Sequence, residues 1–473
     1  MIMERKYNHL VKNTMIFAIG TFGSKMISFL IIPIYTYYLT TSEFGNVDLF
    51  ITTVNMLVPF MTFSIQEAIV RFLVTKEIES KIVLNNCMLV FGFGAIISVL
   101  LVPIYKAFLG SWSIVYLFVM LLILTSYNTV FSQYLRANGK NVAFTINGLI
   151  VTITTVFSNI ILLVGFKAGI RGYFVSLILS QLFASIQVTC CGKIIGQLSL
   201  KEINKNLLKQ MLLYSIPLVP NNLMWWIMNA GDKYVIKYFL GSEANGIYSI
   251  AMKIPTILSL LFTIFMQAWQ VSALEEAHSK EKLSFFDNVF SVVTVVLYLG
   301  TILIILLVEK FFAVVIGQEF FDAWKYVPFL CLATIVNCFA SFSGVVYIVN
   351  KNSKKAFATT FVGAIVNLAV NFCLIRKWGL YGVAIATFIG YLIVAVIRMF
   401  DFHAEIGVGF DIIRTLIGFI LILLEAVSVL FFSKTCFWVN GVVIICILLY
   451  MYHIELWAIV KEIISRGKAK RKL

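Results

Sequence analysis

Long apolar runs separated by short polar segments dominate the chain from residue 14 onward. They fall at roughly 14–39, 46–70, 84–104, 112–135, 143–165, 171–191, 212–236 and 246–270. Six more follow at roughly 286–308, 323–349, 357–375, 380–398, 411–432 and 437–458. A helix needs about 20 such residues to cross the ~30 Å hydrocarbon core of a bilayer. The runs are continuous, whereas the strands of a membrane barrel alternate in hydrophobicity every second residue. Links as short as Phe166 to Ile170 and Arg376 to Gly379 make neighbours antiparallel and leave no room for a domain between them. The pattern predicts an all-α polytopic membrane protein with about fourteen transmembrane helices.

Composition excludes the alternatives. Of 473 residues, 61% are apolar and 12% charged, about half the charged share of a soluble domain, and 42 phenylalanines argue against disorder. The net charge of +15 is spread between apolar runs without forming a basic domain, so no nucleic-acid partner is expected. The eight cysteines lack metal-ligand spacing and read as small core residues. No Walker loop or catalytic constellation appears; Gly92-Phe93-Gly94 lacks a third glycine and sits inside an apolar run. Neither a cofactor nor a metal is expected. The first apolar run has no small-residue cleavage site, so the first helix is expected to remain uncleaved.

Basic residues orient the chain. With the N-terminus in the cytoplasm, twenty-five of the 37 Lys and Arg residues fall in inside loops and tails and eight in outside loops. The inside set includes Lys193, Lys201, Lys205 and Lys209, together with Arg398 and Arg414. Both termini are then cytoplasmic, and the tail after Lys461 is expected to lie on anionic lipid.

The chain also resembles itself. Tyr37-Tyr38-Leu39 with Gly45 recurs as Tyr238-Phe239-Leu240 with Gly246, and Ala143-Phe144 as Ala356-Phe357. The run Asn159 to Leu163 recurs as Asn371 to Ile375, and Gly169-Ile170-x-Gly172 as Gly379-Leu380-x-Gly382. Each copy lies six helices further on, an even number, so the two copies share one orientation in the bilayer. The expected organisation is a lobe at 1–200, a second at 201–400, and an extra helix pair with the basic tail at 401–473.

A charge in hydrocarbon costs a few kcal/mol or more, so each one needs a reason. Lys25 lies about twelve residues from either end of the first run, roughly 18 Å of helix, and is expected to face a wet cavity. Lys253 stands two residues before Pro255, which is expected to kink its helix. Asp232 and Lys233 are adjacent and cannot face each other on a helix, so Asp232 is expected to find a cation elsewhere, with Lys253 a candidate. Glu67 and Arg71 have the spacing of an i,i+4 pair, and Arg71 is also a candidate for the inner rim of the cavity. Glu425, His453 and Glu455 read as a local contact between the last two helices rather than a proton relay.

The motifs Tyr37-Tyr38-Leu39-x5-Gly45, Glu67-x3-Arg71, Asp232 to Ile236 with Phe239-Leu240-Gly241, and Ala251-x-Lys253-Ile254-Pro255 carry a resemblance over essentially the whole chain. The chain resembles the polysaccharide-transport family of oligosaccharide flippases, in the multidrug/oligosaccharidyl-lipid/polysaccharide exporter superfamily. Where members often carry Arg after the seventh-helix Asp, this chain has Lys233. The resemblance implies V-shaped lobes that alternate access without ATP, and translocation of a polyprenyl-diphosphate-linked sugar to the outer leaflet. A bacterial cytoplasmic membrane, a monomer, and coupling to H+ or Na+ are the corresponding expectations. Candidate substrate-binding residues are Lys25, Lys253, Arg71, Asp232 and Lys233. A cation-coupled drug or metabolite antiporter, which would favour buried carboxylates over lysines, and a membrane enzyme acting on the lipid carrier are the alternative readings.

Overall fold

A computed structural model describes residues 23–74, 78–276, 282–350, 352–407, 410–431 and 433–457. The basic N-terminal segment and the tail after Lys461 lie outside the described residues. The described residues are helical, with no strand among them. Among the described residues, nine helices are long and apolar enough to cross a membrane, or ten if one bent pair counts as a span. Contacts divide the chain into two compact units, Met1–Ala230 and Gly231–Leu473. The division falls within a continuous helix, later in the chain than the expected boundary at 200.

The first unit runs α1 (23–30), α2 (Ile32–Tyr38), α3 (Thr41–Thr62), α4 (Ile65–Val74), α5 (Ser80–Leu100), α6 (Val102–Leu109), α7 (Trp112–Ala137), α8 (Asn141–Asn159), α9 (Gly169–Gly192), α10 (Ile194–Gln197) and α11 (Lys205–Ser215). A capping box starts α3. The Thr40 hydroxyl accepts from the Glu43 amide at 3.2 Å, and the Glu43 carboxylate accepts from the Thr40 amide at 3.0 Å. The core gathers where α4, α5, α7 and α11 meet, around Ile69, Cys87, Phe131 and Met211.

The expected second helix is broken. Pro59 has no N–H to donate, and Phe63 and Ser64 both take left-handed backbone angles (φ 49° and 52°), separating α3 from α4. Such angles are strained for residues with a Cβ, at roughly 1–2 kcal/mol each. Gly94 of α5 lies against this break, and a Cβ there would stand 1.8 Å from the Met61 carbonyl oxygen. The fifth run ends in a π-helical turn, Ile160–Gly165, before α9.

Most of α12 (Leu218–Lys253), α13 (Pro255–Glu276), α14 (Lys282–Val315), α15 (Val327–Ser343), α16 (Val345–Val349), α17 (Ser353–Ile406), α18 (Ile412–Phe431) and α19 (Lys434–Met451) form the second unit. Gly241 (φ 87°) breaks α12, and Gly379 (φ 53°) divides α17 into two arms that match the eleventh and twelfth apolar runs. The chain bends by 42° where Pro255 begins α13, the kink expected beside Lys253. Aromatic rings fill the core, with Trp269 and Phe342 stacked at 4.3 Å between centroids.

The repeated sequence builds the same local structure twice. Gly169 and Gly379 share φ 53°, a conformation open to glycine at little steric cost. Three residues on, Gly172 packs on Leu162 and Gly382 on Leu374, so the residues brought into contact are themselves repeat equivalents.

Arg398 and Arg414 do not lie in loops. Arg398 is buried within the second arm of α17. Its guanidinium donates to Thr359 Oγ1 at 3.1 Å, Thr360 Oγ1 at 2.9 Å and the Ala340 carbonyl at 3.2 Å. An interface loop and the end of a long helix look alike in sequence when the flanking residues are equally apolar. Arg414 stands in the first turn of α18 and donates to both Glu455 oxygens at 2.6 and 3.0 Å. The expected contact between the last two helices therefore runs through Glu455. Glu425 is instead fully buried beside Gly441, with neither carboxylate oxygen hydrogen-bonded among the described residues.

Candidate functional site

Lys25 lies on α1 at the wall of a polar cavity of about 460 Å³ in the first unit. The opposite walls come from α7, α8 and α9. Asn128 and Ser132 are four residues apart on α7, so helical geometry puts both on one face, with Gln133 alongside. Thr145 and Asn147 come from α8, and Gln181 from α9. Asn128 Nδ2 donates to Gln181 Oε1 at 3.1 Å, and Asn147 Nδ2 donates to Gln187 Oε1 at 3.0 Å. These bonds fix the walls while other acceptors stay unpaired. Asn128 Oδ1, Gln133 Oε1 and Thr145 Oγ1 are buried with no partner among the described residues. Buried polar atoms are usually paired, so three orphans lining one cavity mark a place where a polar guest fits.

Lys25 is exposed and makes no ion pair among the described residues. Gly23 and Gly148 let α1 lie close to α8 beside it: added Cβ atoms would touch Leu149 and Ser24 at 3.7 and 3.8 Å. The arrangement offers one positive charge and several hydrogen-bond acceptors, which suits an anionic group attached to hydroxyl-rich matter.

Each unit also carries a buried polar node built on a repeat-equivalent asparagine. In the first, Asn159 of α8 donates to Tyr35 Oη of α2 at 3.0 Å and accepts from Ser176 Oγ of α9 at 2.6 Å. In the second, Asp232 of α12 accepts from Asn371 Nδ2 on the first arm of α17 and from Thr387 Oγ1 on the second arm at 2.5 Å. Tyr248 Oη completes the set at 3.3 Å. The donors seen on Asp232 are all neutral; the expected cation, Lys253, is not among them. Asn371 Oδ1 has no partner, nor has either amide atom of Asn367 one turn earlier, among the described residues. Carboxylate, amide and hydroxyl oxygens of this kind are hard donors, suited to a proton or a small monovalent cation more than to a transition metal. No group of three His, Cys, Asp or Glu residues capable of holding a metal occurs among the described residues.

The remaining candidates are dispersed. Arg71 does not line the Lys25 cavity; its guanidinium lies over the Tyr214 ring at 4.3 Å. Glu67, on the same helix, is exposed and forms no bridge to Arg71 among the described residues. Lys233 and Lys253 are half-buried in the second unit. Sequence reasoning missed Asn371, Thr387 and Tyr248 as partners of Asp232, and also the buried Asp48 on α3 and the buried Arg398. One signal was available, since Asn159 and Asn371 are polar residues at the same place in both copies of an otherwise apolar repeat.

Comparison with known proteins places the chain. A lipid II flippase, MurJ, in an inward closed conformation superposes with a TM-score of 0.69 at 14% identity, covering 95% of this chain and all of that one. A multidrug-resistance MATE family transporter of the MOP superfamily, in an inward-facing conformation, gives 0.67 at 14% identity over 82% of this chain and 98% of that one. A MOP superfamily transporter from Pyrococcus furiosus gives 0.59 at 14% identity over 84% and 95%. At such identities these likenesses establish the fold alone, that of a multi-pass membrane protein. No curated protein sequence matches. The sequence profile of the polysaccharide biosynthesis protein family matches residues 10–270, more than half of the chain. The chain belongs to that family.

Proposed function

We propose that this protein is a flippase carrying a polyprenyl-diphosphate-linked oligosaccharide from the cytoplasmic to the outer leaflet of a bacterial cytoplasmic membrane by alternating access. The observation that carries the reading is Lys25 on the wall of the polar cavity, amid orphaned acceptors and without a carboxylate partner among the described residues. A diphosphate brings about two negative charges into a low dielectric, where a cation offsets a desolvation penalty that hydroxyls alone do not. Sugar hydroxyls donate to Asn128 Oδ1, Gln133 Oε1 and Thr145 Oγ1, acceptors left without a partner among the described residues and turned toward the guest by side-chain rotation. The polyprenyl tail stays in lipid. Lys253 and Lys233 add positive charge in the second unit, whereas Arg71 lies on Tyr214 away from the Lys25 cavity.

Asp232 has the role of coupling site in this scheme, loaded by H+ or Na+. A cation that neutralises Asp232 and takes up Asn371 Oδ1 rearranges the joint between α12 and the two arms of α17. It thereby biases one arrangement of the unit over another. Both termini and the Lys201–Lys209 segment face the cytoplasm in this reading, which the excess of basic residues on that side supports.

The test is depletion of the protein in cells that assemble a surface polysaccharide. The reading expects lipid-linked precursor to accumulate while remaining inaccessible to an impermeant sugar-oxidising reagent. Precursor that stays accessible from outside at normal levels would overturn it.

A further inference from the structure

An apolar groove of about 640 Å³ runs along α5 in the first unit. Met88, Leu89, Phe93 and Ile96 line one side, and Leu198 and Ile203 of the segment joining α9 to α11 line the other. Gly92 forms its floor, with no atom within 4 Å of where a Cβ would stand. From Asn85 to Ile96 the groove follows about 16 Å of helix, the depth of an acyl chain rather than of a headgroup.

One end of the groove is held by hydrogen bonds. Asn85 donates to the Gln197 carbonyl at 3.0 Å and accepts from the Ser199 amide at 2.7 Å. Asn86 exchanges two bonds with the Asn204 backbone, each at 3.2 Å. Lys81 is bridged to Glu202. These bonds pin the connecting segment against the first turns of α5. Lys193, Lys201 and Lys205 stand exposed on that segment, and none is in an ion pair among the described residues. The segment that supplies Leu198, Ser199 and Ile203 to the groove thus also carries three exposed cations close in sequence to those lining residues.

We propose that the groove between α5 and the 193–205 segment is a binding site for one anionic glycerophospholipid. An acyl chain fills the groove, and the phosphate sits among Lys193, Lys201 and Lys205. Bulk annular lipid needs no such charge and shows no headgroup preference. Each lysine near an anionic lipid surface contributes roughly a fivefold gain, so losing three removes well over tenfold of the headgroup selectivity. The bound lipid fastens the connecting segment to α5, independently of what the protein transports.

The experiment is native mass spectrometry of the purified full chain titrated with phosphatidylglycerol, phosphatidylcholine or polyprenyl phosphate. The expected result is a single saturable phosphatidylglycerol adduct, at least tenfold tighter than phosphatidylcholine. The triple change Lys193→Gln, Lys201→Gln, Lys205→Gln should erase that preference, and Gly92→Phe, which fills the groove, should remove the adduct. Stability of each variant is checked by its elution as a single species. Should the variants fail to fold, competition on the unaltered protein still decides: equal binding of phosphatidylcholine means annular lipid only and overturns the proposal. Displacement by polyprenyl phosphate at equal concentration also overturns it, because the groove would then be a substrate site.

Discussion

Gly92 and Gly94 lie two residues apart on α5, yet an added methyl group should have opposite effects at the two positions. At Gly92 a Cβ enters open space, so Gly92→Ala gains the helical preference of alanine, about 0.5–1 kcal/mol, without a clash. At Gly94 the Cβ would stand 1.8 Å from the Met61 carbonyl oxygen and 2.9 Å from its carbon. The obstacle is backbone at the α3–α4 break, where Phe63 and Ser64 are already strained, so it cannot rotate aside. The helices must part by about 1 Å, and overpacking of this kind costs about 1–3 kcal/mol, occasionally more. The two variants should therefore differ by about 1.5–4 kcal/mol. At roughly 2–4 °C per kcal/mol for a unit of this size, that is a separation of about 3–16 °C. Large membrane proteins unfold irreversibly, so the measurement is the temperature at which half of the detergent-solubilised protein stops eluting as a single species, at a fixed heating rate. Gly94→Ala should fall below the unaltered protein and Gly92→Ala should match or exceed it. Equal temperatures for the two variants would refute the close approach of α5 to the break.

Four further outcomes follow from the same structure. Lys25→Ala should accumulate at normal levels, because it removes a desolvation cost as well as a charge, while transport falls at least tenfold; Lys25→Arg should keep partial activity, with both quantities read in the same cells. Asp232→Asn keeps the size of the side chain and should retain expression while the cation dependence of transport disappears, measured as flux against Na+ and pH gradients. Gly382→Ala should destabilise more than Gly172→Ala in the same thermal assay, because the first meets the Leu374 backbone at 2.7 Å and the second meets mainly side chains. Arg414→Gln should lower stability by about 1.5–3 kcal/mol through loss of its charged bonds to Glu455, read as a drop in the thermal midpoint.

Most of the helices were legible because hydrocarbon imposes long apolar runs, and each of the fourteen runs contains helix among the described residues. The repeat was legible because Gly169 and Gly379 meet the same backbone demand, which side chains with a Cβ meet poorly. Lys25 stood out because a lysine about twelve residues from either end of an apolar run has few explanations. What stayed hidden depends on contacts distant in sequence. Asp232 finds Asn371 and Thr387 more than 130 residues away, and neutral donors leave no complementary charge to search for. Arg398 read as a loop residue because its partners are threonine hydroxyls and helix carbonyls, which resemble any apolar helix end. The α3–α4 break was missed because Phe63 and Ser64 carry no signal for left-handed backbone; Pro59, four residues earlier, was the only hint.

The central claim is that the Lys25 cavity carries a lipid-linked sugar diphosphate across the bilayer. The most direct measurement reconstitutes the purified protein in liposomes containing a fluorescent polyprenyl-diphosphate oligosaccharide and follows its exposure to a membrane-impermeant quencher. The account predicts protein-dependent transfer between leaflets, with the substrate chemically unaltered and the transfer reduced at least tenfold by Lys25→Ala. Transfer no faster than in protein-free liposomes, or equal transfer by Lys25→Ala, would contradict it.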